Sequence, residues 1–201
     1  MSNLTANKKI MIIASYAESL INFRGQLISS LIRKKYNVIT CAPDADSEII
    51  FKIKELGASY KNIALNRQGF NPIADIKTLF YLKKTIDNAK PEIVISYTIK
   101  PVIYGSIAAF LCKTKKIFSI ITGIGYTLYG ESIKQRVLGG IVKVLYKISL
   151  KCNNKVFFQN PDDLIFFKDN KIIGDSTLTR IVNGSGVDLN HYYKCQVVTK
   201  P

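Results

Sequence analysis

Short apolar runs alternate along the chain with longer segments in which apolar residues recur every three or four positions. Continuous apolar runs bounded by polar residues are typical of strands that are buried on both faces of a sheet. They predict seven strands, at residues 10–15, 38–42, 60–65, 92–97, 117–121, 155–159 and 179–182. Helical periodicity predicts six helices between them, at residues 23–35, 46–56, 72–88, 101–112, 132–152 and 162–169. This alternation predicts one Rossmann-like α/β domain built on a doubly wound parallel sheet with right-handed crossovers.

The loops that follow the strands are the first place to look for a binding site. In doubly wound folds ligands bind at the carboxyl ends of the strands. Six loops are therefore expected at that edge, at residues 16–24, 66–71, 97–101, 122–130, 159–163 and 183–188.

Several common active-site signatures are missing from these loops. The first loop does not carry G-x-G-x-x-G, which argues against a dinucleotide-binding domain, and no P-loop sequence occurs. The four cysteines are widely separated without a C-x-x-C pair, and His191 is the only histidine. We therefore expect free thiols, no metal site and no Ser/His/Asp triad. The residues alone assign no catalytic group.

The remaining candidates are cations and glycines that suit a phosphorylated ligand. Arg24 lies near the N-terminus of a predicted helix, where backbone N–H groups and a guanidinium can hold a phosphate together. Lys100 follows a predicted strand, at the start of the next helix, and offers a second cation, although a solvated side chain explains either residue as well. The Gly-rich loops at 122–126 and 183–188 let a ligand approach bare backbone, or serve as tight turns.

The charge of the chain fits an anionic partner. Lys and Arg number 29 against 14 Asp and Glu, a formal net charge of +15. Such a field favours nucleic acid, anionic lipid or phosphorylated ligands. No nucleic-acid motif or basic-aromatic stacking array accompanies it. We also find no signal peptide or apolar run of about 20 residues that would span a bilayer, so a cytoplasmic protein is expected.

The predicted helix at residues 132–152 combines an apolar stripe with a basic side. The stripe, which is expected to face the core, comprises Val137, Leu138, Ile141, Val142, Val144, Leu145 and Ile148. The basic residues on the opposite side are Arg136, Lys143, Lys147 and Lys151. Each cation near an anionic bilayer contributes about 1 kcal/mol, so this patch predicts peripheral attachment to the inner face of the plasma membrane.

Taken in order, five segments resemble glycosyltransferase family 4, in particular bacterial enzymes that extend lipid-linked capsule, O-antigen or N-glycan precursors. The segments are residues 19–24, 96–101, 121–126, 156–163 and 183–188. The resemblance implies the N-terminal, acceptor-side half of a two-domain GT-B enzyme. It further implies retaining transfer without a metal or other cofactor, from a nucleotide sugar such as a UDP-sugar to a polyprenyl-diphosphate-linked saccharide.

The resemblance also implies which residues line the site. The candidates for binding the acceptor or its phosphates are Asn22, Arg24, Lys100, Thr122, Gly123, Gly125 and Tyr126. The residues expected to line the cleft are Asn160, Gly184, Ser185 and Gly186. The histidine that the family often carries near the sugar has no counterpart in the Thr122-Gly123 loop.

The domain organisation follows from the same comparison. Residues 1–190 are expected to form the acceptor-side domain and residues 191–201 the start of a linker or a tail. The C-terminal donor-binding domain is expected to be absent, so the chain alone should be inactive. Its partners should be the lipid-linked acceptor, an anionic membrane surface and a separately encoded donor domain, and not nucleic acid. The alternative is a non-enzymatic subunit that recruits a separate catalytic chain.

Overall fold

The computed structural model describes residues 8–67, 69, 71–125 and 132–186 as an α/β domain built on one sheet. The strands are β1 (Lys9–Ile13), β2 (Asn37–Ala42), β3 (Ser59–Asn62), β4 (Ile93–Tyr97), β5 (Lys116–Ile121), β6 (Lys155–Phe158) and β7 (Thr179–Ile181). They lie in the order β3-β2-β1-β4-β5-β6-β7, and every neighbouring pair is parallel. The predicted doubly wound sheet is therefore confirmed.

The helices agree with the predicted periodicity, with two local differences. They are α1 (Glu18–Asn22), α2 (Gly25–Arg33), α3 (Ser47–Glu55), α4 (Pro72–Ala89), α5 (Ser106–Leu111), α6 (Ile133–Lys151) and α7 (Pro161–Asp169). The short helix α1 lies inside a segment expected to be a loop. The helix predicted at 101–112 begins as a π-helical segment, Pro101–Gly105, before α5.

Local capping explains where the long helices begin. The Asn71 side chain accepts hydrogen bonds from the backbone N–H groups of Ile73 and Ala74, while Pro72 occupies the first turn of α4. Ser132 and Gln135 form a reciprocal capping box at the start of α6. Each cap satisfies N–H groups that have no partner within the helix, which fixes the first turn.

The helices cover the two faces of the sheet unequally. Helices α1, α2 and α3 pack on the β1–β2 side through Leu20, Ile28, Ile49 and Ile53. Helices α4 to α7 pack on the other face, with Leu82, Ile86, Val142, Tyr146, Leu150 and Phe167 in the core. The order of the strands reverses between β1 and β4, so a crevice for a ligand is expected beyond the ends of these two strands.

The orientation of α6 differs from the prediction. Its buried side comprises Val142, Tyr146, Ser149 and Leu150, and Leu138 and Leu145 are half-buried. The other residues of the predicted core-facing stripe, Val137, Ile141, Val144 and Ile148, are exposed. The helix is thus apolar on two sides, one against the sheet and one toward solvent. The sequence pattern did not distinguish these two sides and predicted a single stripe.

Candidate functional site

Two adjoining cavities of about 350 and 380 Å³ open at the carboxyl edge of the sheet. Both are lined by Ser15, Arg67, Thr98 and Thr122. Ser15 follows β1 and Thr98 follows β4, and the Thr98 hydroxyl donates a hydrogen bond to Ser15 Oγ over 2.8 Å. The cavities therefore lie at the point where the sheet order reverses, as the fold predicts.

Arg24 lines the 380 Å³ cavity but is itself buried, with 5% of its surface exposed. One guanidinium nitrogen, Nη1, donates to the carbonyl oxygen of Phe23 over 3.0 Å and to Ser185 Oγ over 2.7 Å. Its Nε has no hydrogen-bond partner among the described residues. Burial lowers the pKa of Arg24 from its ordinary value.

The Arg24 guanidinium packs against an aromatic ring. The Arg24 guanidinium carbon lies 4.7 Å from the centroid of the Tyr97 ring. The Tyr97 hydroxyl shares a 2.8 Å hydrogen bond with Ser19 Oγ, and burial raises the pKa of Tyr97 to about 12. Because the phenol stays neutral, it attracts the cation only through its ring.

Ser185 ties the last described loop to the cavity. Its hydroxyl accepts from Arg24 and also from Gln159 Nε2, over 3.0 Å. Gln159 follows β6 directly and lines the cavity, although sequence reasoning did not single it out. Gly184 and Gly186 flank the serine with φ values of +69° and +74°, which allow the sharp turn that brings Ser185 inward.

Arg67 is the cation that sequence reasoning missed. It is exposed, lines both cavities and lies with its guanidinium carbon 4.3 Å from the centroid of the Tyr16 ring. The Tyr16 hydroxyl in turn donates to the Glu18 carboxylate. A signal was present in the sequence, since Arg67 is the only basic residue in the loop at 66–71, which was expected at this edge.

Lys100 lines the 350 Å³ cavity, but its charge is already balanced within the protein. Its Nζ donates to Asp75 Oδ1 over 2.7 Å, and only 5% and 6% of the two side chains are exposed. Burial and the neighbouring Asp75 raise the pKa of Tyr104. The pair connects α4 to the turn after β4, and a role of Lys100 in phosphate binding stays a prediction.

The loop after β5 supplies open backbone, as its glycines suggested. Thr122, Gly123 and Gly125 line the 350 Å³ cavity, and the glycines have φ values of +150° and +71°. A Cβ added at Gly123 would meet no atom of the described residues within 4 Å, whereas one at Gly125 would come within 3.0 Å of Ile99 Cδ1. Among the residues that the structure describes, nothing therefore fills the space beside Gly123. Tyr126 lies outside the described residues.

Two asparagines do not take the positions expected of them. Asn22 is exposed at the end of α1, outside the lining of the cavities. Asn160 is the N-cap of α7: its Oδ1 accepts from the Asp163 N–H over 2.7 Å and its Nδ2 donates to Asp163 Oδ2 over 2.9 Å. Its amide is used in helix capping, and the neighbouring Gln159 lines the cavity instead.

The outer side of α6 presents an apolar row beside basic residues. The row comprises Ile133, Val137, Ile141, Val144 and Ile148, which are 81%, 60%, 50%, 57% and 50% exposed. Arg136, Lys147 and Lys151 are exposed on its flank. Lys143 is half-buried, and its Nζ donates to Asn170 Oδ1 at the end of α7 over 2.7 Å. It is therefore less accessible than the other three basic residues. None of the described helices is long and apolar enough to cross a bilayer.

Comparison with known proteins agrees with this architecture. A curated relative is the N,N'-diacetylbacillosaminyl-diphospho-undecaprenol alpha-1,3-N-acetylgalactosaminyltransferase of Campylobacter jejuni, which is 25% identical over 184 residues. The match covers 89% of this chain and 46% of that protein. The chain thus spans about half the length of the curated relative.

Solved structures share the fold over a similar portion. A glycosyltransferase from Rickettsia africae superposes with a TM-score of 0.63 at 15% identity, covering 93% of this chain and 45% of that one. MurG of Acinetobacter baumannii gives a TM-score of 0.56 at 14% identity, covering 90% and 46%. The described sheet therefore corresponds to one half of a GT-B architecture.

The family assignment comes from the sequence itself. Residues 9–160 match the model of the family described as Glycosyl transferase 4-like. The matched region runs from β1 to the residue that caps α7, and so includes every cavity-lining loop except the one that carries Ser185. Since the match covers most of the chain, the chain belongs to the glycosyl transferase 4-like family.

Proposed function

We propose that this chain is the acceptor-binding half of a retaining glycosyltransferase. In the intact enzyme a sugar passes from a nucleotide sugar, a UDP-sugar in our proposal, to a saccharide carried on a polyprenyl diphosphate. The name of the Campylobacter jejuni relative describes a transferase with a diphospho-undecaprenol acceptor, which supports this choice. The products would be cell-surface polysaccharides or glycans, such as capsule or O-antigen.

The observation that carries the proposal concerns the buried charge of Arg24. Within the described part of the chain, no carboxylate oxygen lies within 4.0 Å of its guanidinium. A buried charge is costly unless it is paired and fully hydrogen-bonded. Its unpartnered Nε and its position in a cavity wall therefore favour an anionic ligand, which would supply the missing countercharge.

The surroundings of Arg24 suit a diphosphate that carries a sugar. Arg67 lines the same cavity, so two guanidiniums are available to two phosphate groups. Arginine binds phosphate through two parallel hydrogen bonds, which fixes its orientation as well as its position. The free space at Gly123 in the adjoining cavity leaves room for the first sugar against bare backbone.

The chemical role of this half is positioning. It holds the acceptor by its diphosphate and presents a sugar hydroxyl to a donor held by the other half of the enzyme. Bringing two substrates together in reactive geometry lowers the barrier substantially, and doing so needs both walls of the cleft. We therefore expect no transfer by this chain alone, and turnover when a donor-binding half is supplied.

Binding of farnesyl diphosphate, a short polyprenyl diphosphate, tests the acceptor site. Arg24→Ala should weaken binding by about 1.5–3 kcal/mol, the usual range for a hydrogen bond to a charged group. Arg67→Ala should weaken it in the same direction. Arg33→Ala is the matched control, because Arg33 is exposed at the end of α2 and binds only Ser30 among the described residues. Unchanged affinity in the Arg24 variant would contradict the assignment.

An enzymatic assay separates the transferase from the recruiting-subunit alternative. The chain is mixed with a lipid-linked saccharide and radiolabelled UDP-sugars, with and without a donor-binding half from a longer family member. Turnover that requires both parts and falls with Arg24→Ala supports the transferase. Turnover that is indifferent to Arg24 supports a subunit that only recruits a catalytic chain.

We also propose that the enzyme is a peripheral protein of the inner membrane face, with α6 as its contact. The exposed row on α6 runs from Ile133 to Ile148, about 22 Å of helix. A helix with one apolar side and flanking cations lies in the plane of a bilayer interface, with its apolar side buried in the headgroup region. Contact through α6 would keep the lipid-linked acceptor close to the cavities.

Vesicle co-sedimentation tests this contact. Lys147→Glu with Lys151→Glu should remove the preference for anionic vesicles, and high salt should do the same because salt screens charge attraction. Ile141→Asp with Val144→Asp should reduce binding to every vesicle type. Phe51→Asp, at an exposed apolar position on the opposite face, is the matched control. Binding that survives the α6 substitutions would contradict the proposal.

A further inference from the structure

The edge of the sheet opposite the two cavities carries a row of lysines. Parallel strands all begin at one edge of the sheet, here called the amino edge, and the helices that precede them end there. Eight exposed lysines begin these strands, end the preceding helices or lie in the turns between them: Lys9, Lys34, Lys35, Lys90, Lys113, Lys115, Lys116 and Lys151. They belong to five adjacent strands, β2-β1-β4-β5-β6, which together span about 19 Å.

Three of these lysines occupy backbone positions that usually favour glycine. Lys35, Lys90 and Lys113 have φ values of +65°, +49° and +55°, in the left-handed region where a side chain is disfavoured. Helix α3 ends at the same edge on Gly57, with a φ of +86°, as is common for a helix. Attraction between a cation and the carbonyl end of a helix offsets part of the cost of lysine. This attraction does not explain the lysines that begin β1 and β5, so the charge of the edge exceeds what the helix ends account for.

A cavity of about 420 Å³ opens within the amino edge, between the ends of α4 and α5. Ile86, Pro91 and Cys112 give it an apolar lining, and the exposed Lys90 and Lys113 line it as well. It therefore combines room for an apolar side chain with two cations close to the solvent.

Two carboxylates also line this cavity, and each is paired with a lysine. Asp87 Oδ2 accepts from Lys83 Nζ over 2.7 Å, and Glu92 Oε2 accepts from Lys115 Nζ over 3.2 Å. No carboxylate of the described residues lies within 4.0 Å of the other two lysines that line the cavity. Their charges are therefore available to an acidic ligand.

We propose that the amino edge binds an acidic segment of a protein partner, with one apolar side chain of that segment in the 420 Å³ cavity. Lys90 and Lys113 pair with acidic side chains that flank the apolar one. The row of about 19 Å matches the length of an extended segment of about six residues. This site is separate from the proposed acceptor site, because strands of five or six residues place the two edges roughly 15–20 Å apart.

The cavity and the charge favour a protein segment over other partners. A nucleic acid offers phosphates but no aliphatic side chain for an apolar cavity, and the sequence carries no basic-aromatic array for stacking bases. A bilayer on the amino edge would leave the proposed acceptor site roughly 15–20 Å further from the headgroups. A second copy of this chain would bring a surface of the same sign, since the formal net charge is +15.

Fluorescence anisotropy of a labelled peptide tests the cavity. The probe is a ten-residue peptide with a central leucine flanked by glutamates. One control peptide has alanine in place of the leucine, and the other has lysines in place of the glutamates. The glutamate peptide should bind saturably at physiological ionic strength and the lysine peptide should not. The alanine peptide should bind at least about fivefold more weakly, because it buries less apolar surface.

Charge reversal locates the contact. Lys90→Glu with Lys113→Glu should weaken binding of the glutamate peptide by about tenfold or more and allow the lysine peptide to bind, which also shows that the variant is folded. Lys77→Glu with Arg136→Glu is the matched control, because it changes the net charge equally at exposed positions in the first halves of α4 and α6. This control should keep its affinity within about twofold, because salt screens distant charges.

Three results with the peptides would overturn the proposal: no saturable binding, equal binding of the leucine and alanine peptides, or an equal loss in the two charge-reversal variants. Tighter binding of a ten-nucleotide single strand or of anionic vesicles, lost with Lys90→Glu and Lys113→Glu, would also overturn it, because the edge would then serve nucleic acid or a membrane. Farnesyl diphosphate binding tests the proposed function separately, since Arg24 and Arg67 lie at the opposite edge.

Discussion

The guanidinium carbon of Arg24 lies 4.7 Å from the centroid of the Tyr97 ring, and the two side chains are 5% and 2% exposed. Tyr97 ends β4, whereas Arg24 follows α1, so the contact joins the two sides of the point where the sheet order reverses. Among the described residues, a neutral ring and two acceptor oxygens hold this buried cation in place, and no carboxylate neutralises it. The buried charge of Arg24 therefore costs folding stability, whereas the proposed anion binding requires that charge.

The first prediction follows from this opposition. Arg24→Met removes a buried charge and keeps an apolar stem of similar length. The variant loses the hydrogen bonds of the guanidinium and its contact with the Tyr97 ring, and the ring contact contributes about 0.5–2 kcal/mol. This loss is offset because a charge no longer has to be buried away from water. We expect the free energy of unfolding to stay within about 1 kcal/mol of the original chain. Farnesyl diphosphate should raise the Tm of the original chain and not that of the variant, because a ligand stabilises only a protein that binds it.

Thermal denaturation with and without farnesyl diphosphate makes this measurement. Arg24→Lys is a useful companion, since it keeps the charge but loses the planar fork that contacts Phe23 and Ser185. A large loss of stability in the Met variant would show that Arg24 serves mainly to hold the fold together.

The second prediction concerns the buried pair of Lys100 and Asp75. Asp75→Ala removes the carboxylate that faces buried Lys100, so it should lower the free energy of unfolding by about 3–5 kcal/mol. Asp75→Leu combined with Lys100→Met should recover most of the loss, because a buried ion pair is often replaced by apolar residues without cost. Urea denaturation of the single and double variants measures both effects. Single and double variants of equal stability would show that the pair has no coupling.

The third prediction concerns the backbone at Thr98. Its φ of +67° lies in the left-handed region, which costs a β-branched residue about 1–2 kcal/mol. Thr98→Gly relieves this strain but loses the 2.8 Å bond to Ser15, worth about 1 kcal/mol, so the two effects should nearly cancel. Thr98→Val keeps the strain and loses the bond, and should destabilise by about 1–3 kcal/mol. Equal effects of the Gly and Val variants on urea denaturation would contradict the presence of strain.

The sequence predicted the seven strands well because their apolar runs depend on local pattern alone. β5, expected at 117–121, is found at Lys116–Ile121. The edge where the site lies followed from the parallel order, since all strand ends meet there. The short helix α1 was missed because Ala17, which precedes it, provides no side-chain cap. Its five residues are also too few to show a helical repeat of apolar positions.

The features that escaped prediction depend on contacts between distant residues. Lys100 meets Asp75 across 25 positions, and nothing in the turn around Lys100 signals that partner. Arg24 meets Ser185 across 161 positions, and the sequence around Arg24 did not signal that its guanidinium is buried. In α6, apolar residues occupy more than half of the circumference, so periodicity could not show which of them contact the sheet.

The last prediction concerns the packing that holds the turn after β4 against the sheet. Gly105 ends the π-helical segment that follows Lys100, and a Cβ built there would lie 2.7 Å from Ser96 Oγ and 3.2 Å from Ile13 Cδ1. Ser96 Oγ is itself buried without a hydrogen-bond partner among the described residues. The missing side chain at Gly105 therefore leaves room for the Ser96 hydroxyl, although that hydroxyl makes no hydrogen bond with the described residues.

Three variants separate these contributions. Gly105→Ala alone should destabilise by about 1–3 kcal/mol through overpacking. Ser96→Ala alone should be neutral or stabilising, because it removes an unsatisfied buried hydroxyl. In the double variant the closest contact is gone and the next Ser96 atom, Cβ, is 3.6 Å away, so only Ile13 must shift. The helical φ of −67° at position 105 also favours alanine over glycine by about 1 kcal/mol. We therefore expect a coupling of at least about 1 kcal/mol in the double-mutant cycle, measured by urea denaturation. Additive effects would mean that the contact with Ile13, and not the Ser96 hydroxyl, limits the packing.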